Sequence, residues 1–420
     1  MTDLLQMGKT ARQNARMLAQ ARSDQKNLFL TTLVDQLQNH SAEILAANQK
    51  DIELGRSAGL SAALIDRLLL TQNRLNGMAN DLEDLIRMPD LVGTVIEEKL
   101  LANGVKARRV RVPLGVMAVI YEARPNVTVD ISALGIKSGN AVILRGGKET
   151  LNSNRALVKL IRDCLQTANL PLDAVQFIDD PDRGLVEQLV KMDQYVDILI
   201  PRGGNALQDF CKANANMPVM TGGIGICHLF VDESADLKKA VEVIQNAKVQ
   251  RPSVCNALET LLVHQKIAPQ FLPAVVQRLG QDHVQFRCDP AAIEILGADA
   301  SQGILPAEEG DFDREWLSLV LGIKVVSSLD EAMEHIHQHG TQHSDGILTG
   351  DSRHAQKFIA EIDSAAVYVN ASTRFTDGAQ LGLGGEVAVS TQKLHARGPI
   401  GLEGLTTYKW VLEGEYQVRG

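Results

Sequence analysis

The chain has 420 residues, 45% of them apolar and only 4% aromatic, and a formal net charge of −9. That length exceeds one ordinary core, so two or three domains are expected; the acidic balance argues against a nucleic-acid surface, and no polybasic patch or apolar run of membrane-spanning length is present. Five cysteines without paired or metal-type spacing suit a reducing compartment, and Met1 to Gln20 lacks a signal-peptide core, so a cytoplasmic protein is expected.

Residues 10–86 carry a helical pattern, with Ser41 as an N-cap followed by Glu43 and the apolar series Ile44, Leu45, Ile52 and Leu54. Residues 94–112 change to two extended runs around Asn103-Gly104, a hairpin turn signal. Basic and apolar residues alternate through 105–112, an edge of the kind that pairs with a neighbouring subunit. Residues 115–121, 141–144, 174–178 and 196–200 then read as short apolar strands, separated by helical segments such as 150–168 and 181–191. This series predicts a parallel sheet covered by helices on both faces, with ligands at the carboxyl ends of its strands. Two of those ends are rich in glycine and cations: Arg145-Gly146-Gly147-Lys148 and Pro201-Arg202-Gly203-Gly204-Asn205. Glycine lets the backbone approach a phosphate, and helix N-termini and cations attract it. Neither matches the three-glycine dinucleotide fingerprint, and each alone reads equally well as an ordinary turn; the two together favour a nucleotide site.

Residues 237–248 predict a helix and 261–263 a buried strand, which places Cys255 in the turn between them. With Arg251 nearby and main-chain amides available, that turn favours a nucleophilic thiolate; a small buried hydrophobe is the competing reading. The run His335-Ile336-His337-Gln338-His339, with His343 beyond, invites a metal reading. Only His335 and His339 share a helical face, no cysteine or carboxylate completes a site, and Gly340 reads as the helix end, so no metal is expected. The tail 405–412 has strand character.

Taken together, the residues resemble a known family. The order Pro113-Leu114-Gly115-Val116, Gly139-Asn140-Ala141-Val142-Ile143-Leu144-Arg145, Cys255, Glu315-Trp316-Leu317 and Val367-Tyr368-Val369-Asn370 is similar to the aldehyde dehydrogenase superfamily over nearly the whole chain. Within it, the segments 121–128, 144–149, 200–204, 341–345 and 390–399 resemble the branch that reduces gamma-glutamyl phosphate. The resemblance implies an α/β, aldehyde dehydrogenase-like fold. Its parts would be a Rossmann-type NADPH-binding domain (1–95 and 113–228), an α/β catalytic domain carrying Cys255 (229–395) and a small oligomerisation β-element (96–112 and 396–420). It further implies NADPH-dependent reduction of L-glutamyl 5-phosphate to L-glutamate 5-semialdehyde plus phosphate through a Cys255 thioester, the second step of proline biosynthesis from glutamate. A homo-oligomer and a functional link to glutamate 5-kinase are implied as well.

Roles follow residue by residue from that resemblance. The main-chain N–H of Cys255 and the side chain of Asn126 are candidates to meet the oxyanion, although Asn126 also reads as a turn residue after Pro125. NAD-preferring relatives place a glutamate three residues beyond a lysine; here Arg145 and Lys148 occupy that region, and cations there suit a 2′-phosphate. Gly203 and Gly204 would form the pyrophosphate turn, and Glu315 would bind the nicotinamide ribose. Arg124, Lys393, His395 and Arg397 are candidates for the anionic groups of the substrate, with Asn370, Thr373 and Asp377 in the entrance loop; 393–397 also reads as a solvated basic loop. Hydrolytic members carry a water-activating glutamate before the cysteine, whereas 219–225 here holds no carboxylate, which favours phosphate over water as the acyl partner. A hydrolytic semialdehyde dehydrogenase and an inactive scaffold of the same fold are the alternatives.

Overall fold

Helices open the chain: α1 (Leu4–Leu18), α2 (Ser23–Asn39), α3 (Ser41–Ser57), α4 (Ala62–Leu68) and α5 (Gln72–Arg87). The computed structural model describes residues 3–419, with Ala63 described by its backbone alone. Side-chain caps set several of these starts: Asp3 accepts from the Gln6 N–H at 2.9 Å and Thr71 from the Arg74 N–H at 3.2 Å. Ser41 is not a cap. Helix α2 persists to Asn39, so His40 alone separates it from α3 and takes the N-cap position without a side-chain bond, and Ser41 is already helical.

The chain divides into two compact units, one running to Gly222 with Gly382–Ala388 and the chain from Leu394 onward, the other comprising Gly223–Leu381 and Val389–Lys393. In the first unit, β1 (Val95–Leu100) and β2 (Lys106–Pro113) form the hairpin, and the C-terminal strand Thr406–Glu413 pairs antiparallel with β2. The basic alternation of β2 finds partners within this sheet. Arg108 pairs with Glu413 at 2.6 Å, and the Arg109 guanidinium lies 4.8 Å from the Tyr408 ring centroid.

The core of the first unit is a four-stranded parallel sheet in the order β5 (Val175–Phe177), β4 (Ala141–Gly146), β3 (Val116–Tyr121), β6 (Ile198–Arg202). Every residue of β3 and β4 is buried, as expected of parallel strands covered on both faces by α6 (Asn126–Lys137), α7 (Leu151–Thr167), α8 (Gly184–Leu189), α9 (Asn205–Asn214) and the opening helices. One polar tie is buried between helices: Asp51 of α3 accepts from the N–H groups of Asn152 (3.1 Å) and Ser153 (2.8 Å) and from both their side chains. A carboxylate at the first turn of a 17-residue helix answers orphan donors and the positive end of its dipole.

The second unit is a seven-stranded, wholly parallel sheet: β10 (Ile304–Pro306), β9 (Gln285–Cys288), β11 (Val320–Val326), β8 (Leu258–His264), β7 (Cys227–Val231), β12 (Ser344–Leu348), β13 (Ala366–Val369). Helices α10 (Leu237–Val249), α11 (Ala268–Gly280), α12 (Pro290–Leu296), α13 (Leu329–His339) and α14 (Ser352–Glu361) provide its crossovers and cover. The predicted helix and strand around Cys255 are α10 and β8.

Candidate active site

In the first unit, a cleft of about 1130 Å³ opens beside the carboxyl ends of β3 and β4, lined among others by Glu122, Arg145, Lys148, Glu149 and Arg183. Its floor is a relay of buried hydroxyls and one amide. Thr128 Oγ1 donates to Asn154 Oδ1 (2.9 Å), so the Tyr121 hydroxyl donates to Thr128 (2.7 Å); Asn154 Nδ2 donates to Thr150 Oγ1 (2.9 Å), which donates to the Gly147 carbonyl (3.0 Å). The relay fixes the Gly147 turn from below and satisfies each group it buries.

Arg145 and Lys148 both line this cleft, in different ways. Arg145 is 8% exposed and its Nη atoms donate to the carbonyls of Gly146 (2.9 Å) and Pro181 (3.0 Å), so the guanidinium braces the loop; burial lowers its pKa. The exposed cations are Lys148 and Arg183, and sequence reasoning did not single out Arg183. At the start of α9 the Gly204 N–H donates to Glu122 Oε2 at 3.0 Å, and a Cβ on Gly203 would meet the same carboxylate, whereas Gly204 faces open space. A phosphate reaching that N–H replaces a carboxylate, so the turn is shaped for an anion. Glycines at the turn and two exposed cations fit the phosphates of a dinucleotide.

Of the other expected residues of this unit, Asn126 and His395 make local bonds. Asn126 is the first residue of α6, and its Nδ2 donates to Asp130 at 2.8 Å; burial pushes the Asp130 carboxyl up to about 7. Arg124 is half-buried just before that helix, and Arg397 is half-buried in the tail. His395 Nε2 donates to the Gly404 carbonyl at 3.0 Å.

In the second unit, functional candidates gather before the amino ends of four neighbouring strands, β11, β8, β7 and β12, which Glu315, Cys255, Gly225 and His343 respectively precede. Of the five free cysteines, Cys255 is partly exposed and the others are buried, where burial raises their thiol pKa values. Its carbonyl is closely held. Cys227 Sγ donates to it at 3.2 Å, and a Cβ on Gly225 would overlap it. The Gly225 N–H donates to Glu315 Oε1 at 2.8 Å, so Cys255 and Glu315 both approach one glycine; burial raises the Glu315 carboxyl. Thr341 Oγ1 bonds both the Ile224 carbonyl and the Ile226 N–H, fixing this stretch.

Two further devices hold the Cys255 loop; sequence reasoning missed the first and took Thr373 of the second only as an entrance-loop residue. Lys248, in the last turn of α10, pairs with Glu259 of β8 at 2.6 Å with neither side chain exposed, and Glu259 Oε1 also accepts the Leu317 N–H at 3.2 Å. One buried carboxylate thus joins both flanks of the cysteine loop to the Glu315 turn, where Leu317 adopts a φ of 51°. The loop after β13 is the second device. Thr373 Oγ1 donates to the Asn256 carbonyl (2.6 Å), Asn256 Nδ2 donates to the Thr376 carbonyl (2.8 Å), and Arg374 donates to both Asn256 Oδ1 and Gln250 Oε1.

Asn370 and Lys393 are engaged elsewhere in this unit. The Asn370 amide closes both of its bonds on the Thr349 backbone (2.8 and 2.9 Å), and Lys393 pairs with Asp363. His335 is 3% exposed among Phe312, His228 and His339, which holds it neutral with a pKa lowered to about 2; among the described residues no group of three possible metal ligands is assembled.

The aldehyde dehydrogenase family model matches residues 2–293. The chain is 56% identical over 418 residues to a gamma-glutamyl phosphate reductase of Pasteurella multocida, covering 100% of this chain and 99% of the relative. It is 58% identical over 417 residues to that of Vibrio parahaemolyticus, with 99% and 100% covered. Among solved structures, a gamma-glutamyl phosphate reductase from Thermotoga maritima superposes with a TM-score of 0.95 at 47% identity over 100% of both chains. An acetylating aldehyde dehydrogenase from Geobacillus thermoglucosidasius shares the fold at 17% identity, with a TM-score of 0.72 over 99% of this chain and 97% of that one. The chain belongs to the aldehyde dehydrogenase family and, within it, to the gamma-glutamyl phosphate reductases.

Proposed function

We propose that the protein reduces L-glutamyl 5-phosphate to L-glutamate 5-semialdehyde and phosphate with NADPH, using Cys255 as nucleophile. The observation that carries the reading is Cys255 itself: a partly exposed cysteine with its carbonyl pinned, in a full-length relative of reductases that bear this name. In the first step the thiolate sulfur bonds to the acyl carbon, the carbonyl π pair moves to oxygen, and its return expels phosphate to leave a thioester. The main-chain N–H of Cys255 is the proposed donor to that oxygen. A nicotinamide cofactor, when bound, would supply the hydride equivalent that the thioester carbon takes up. Protonation of sulfur and collapse of the thiohemiacetal then release the aldehyde and free Cys255.

Lys148 and Arg183 support NADPH over NADH, because two exposed cations at the glycine cleft suit an additional phosphate. Glu315, fixed by Gly225, is the proposed ribose ligand. The acyl phosphate implies a kinase acting upstream, proposed to be glutamate 5-kinase. A homo-oligomer built on the hairpin and C-terminal sheet and a cytoplasmic location complete the reading; among the described residues no helix is long and apolar enough to cross a membrane.

The test is NADP⁺ reduction with glutamate 5-semialdehyde, with and without inorganic phosphate, for wild type and Cys255→Ala. Turnover that requires phosphate and vanishes in the variant is expected. Phosphate-independent turnover would establish hydrolysis instead, and activity persisting in the variant would remove Cys255 from the chemistry.

A further inference from the structure

Cys255 stands at an electrostatically adverse end of its own helix–strand unit. Helix α10 ends at Val249, so the partial negative charge of its carbonyl end lies on the side of the cysteine loop, the reverse of the helix N-terminus that lowers thiol pKa values. The charged groups around the loop do not all correct this. Glu315 approaches through Gly225, and Glu259 is already matched by Lys248. Among the described residues, the cations that remain are Arg251, in the loop itself, and Arg374.

Arg374 is fixed rather than merely near. It lies in the 3-10 turn Thr373–Phe375, its Nε donates to Gln250 Oε1 at 3.0 Å and its Nη1 donates to Asn256 Oδ1, so the guanidinium spans the residues that begin and end the cysteine loop. Asn256 is 4% exposed and doubly tied to the same turn. The charges of Asp377, Arg251, Cys255 and Tyr368 act on Arg374 through space. Asp377 offsets part of the charge and Arg251 reinforces it.

We infer that Arg374 is the cation that keeps Cys255 in its thiolate form, offsetting the carbonyl end of α10, and that it acts as a positioning residue through Gln250 and Asn256. The inference rests on Cys255 being the nucleophile but not on the identity of the substrate. A residue that only braced the loop would alter stability and leave the protonation of Cys255 unchanged.

The experiment follows the pH dependence of iodoacetamide alkylation of Cys255, with peptide mapping to confirm the site, since the other four cysteines are buried. Wild type, Arg374→Gln, Arg374→Lys and Gln250→Glu are compared. Loss of the charge is expected to slow alkylation at neutral pH roughly tenfold and move the midpoint up by about one pH unit, with Arg374→Lys intermediate. Gln250→Glu sets a carboxylate against the guanidinium; because that added charge raises a nearby thiol by itself, only an unchanged midpoint is decisive there. Arg374→Lys, which keeps the charge and loses the forked bonds, is the supporting readout if Arg374→Gln does not fold. Unchanged midpoints in Gln250→Glu and in folded Arg374→Gln overturn the inference. Failure of the substrate reading would show instead as absent turnover with an intact alkylation profile.

Discussion

The two units are both parallel α/β layers, yet they present their candidate residues at opposite ends of their strands. In the first, Lys148 and the Gly203-Gly204 turn follow β4 and β6, at carboxyl ends where helix N-termini supply N–H groups and favour anions. In the second, Gly225, Cys255, Glu315 and His343 precede β7, β8, β11 and β12, at amino ends where helices terminate in carbonyls. The carboxyl end suits phosphates without added charge. The amino end gives a thiolate no such help, and accordingly side chains do the work there: Thr341, the Lys248–Glu259 pair and Arg374 hold what helix dipoles would otherwise favour.

The sharpest break of this contrast is at the nucleophile. Cys255→Ala is expected to lower turnover at least a thousandfold, the order seen when a nucleophile is removed, and steady-state NADP⁺ reduction measures it. Close behind comes Gly225→Ala. An added Cβ overlaps the Cys255 carbonyl oxygen, so either the loop or the β7 approach shifts; a fall of about a hundredfold in turnover is expected, as for a misplaced reacting group, with an unchanged circular dichroism spectrum. Equal activity in this variant would show that the amino-end geometry is not what positions the nucleophile.

The buried pair allows a test by stability. Lys248→Met strands the Glu259 carboxyl in the core without its partner, where burial already raises it to about 7, and is expected to cost about 3–5 kcal/mol, while Lys248→Met with Glu259→Leu is expected to recover most of that loss. Denaturant titration reads both. If the double variant recovers stability but not activity, the pair serves the placement of Cys255 and Glu315 rather than the fold. In the first unit the corresponding change is Asp51→Ala, which strands two main-chain donors at the start of α7 and is expected to cost about 2–3 kcal/mol.

These expectations also show how far the sequence could be read. The unbroken apolar runs of β3 and β4 and the turn at Cys255 were legible, because burial on both faces and chain punctuation are local properties. The alternating β2 was legible as a strand, but its partners Tyr408 and Glu413 lie some three hundred residues away. Arg374 escaped for the same reason, reading as an ordinary surface cation until Asn256, 118 residues away, folds onto it; Lys248 escaped although Glu259 is only 11 residues on, because their pairing depends on how α10 packs against β8. Arg145 was visible as a cation and not as a brace, since its acceptors are carbonyls, which no residue type reveals. Ser41 failed as a cap because α2 persists to Asn39 and His40 takes the cap position.

The smallest expected effect is a difference in pH response between the units. In the second, His335 and His343 are held neutral by burial, with pKa values lowered to about 2 and about 4. An unfolded histidine takes up a proton near pH 6.5, so the unfolded chain binds more protons below that pH and the stability these residues contribute is lost as pH falls. Asp130 of the first unit runs the other way. Its carboxyl is raised to about 7, the folded chain retains a proton that the unfolded chain releases near pH 4, and the associated stability is lost as pH rises through that interval. Denaturant titrations at pH 5 and pH 7.5 are therefore expected to show His335→Phe losing about 1 kcal/mol less than wild type on acidification, and Asp130→Asn losing about 1 kcal/mol less on alkalinisation, both well within the limit of ~1.4 kcal/mol per pH unit for one group. If both variants shifted in the same direction, these groups would not be titrating as their surroundings require, and the contrast between an acid-sensitive second unit and a base-sensitive first unit would fail.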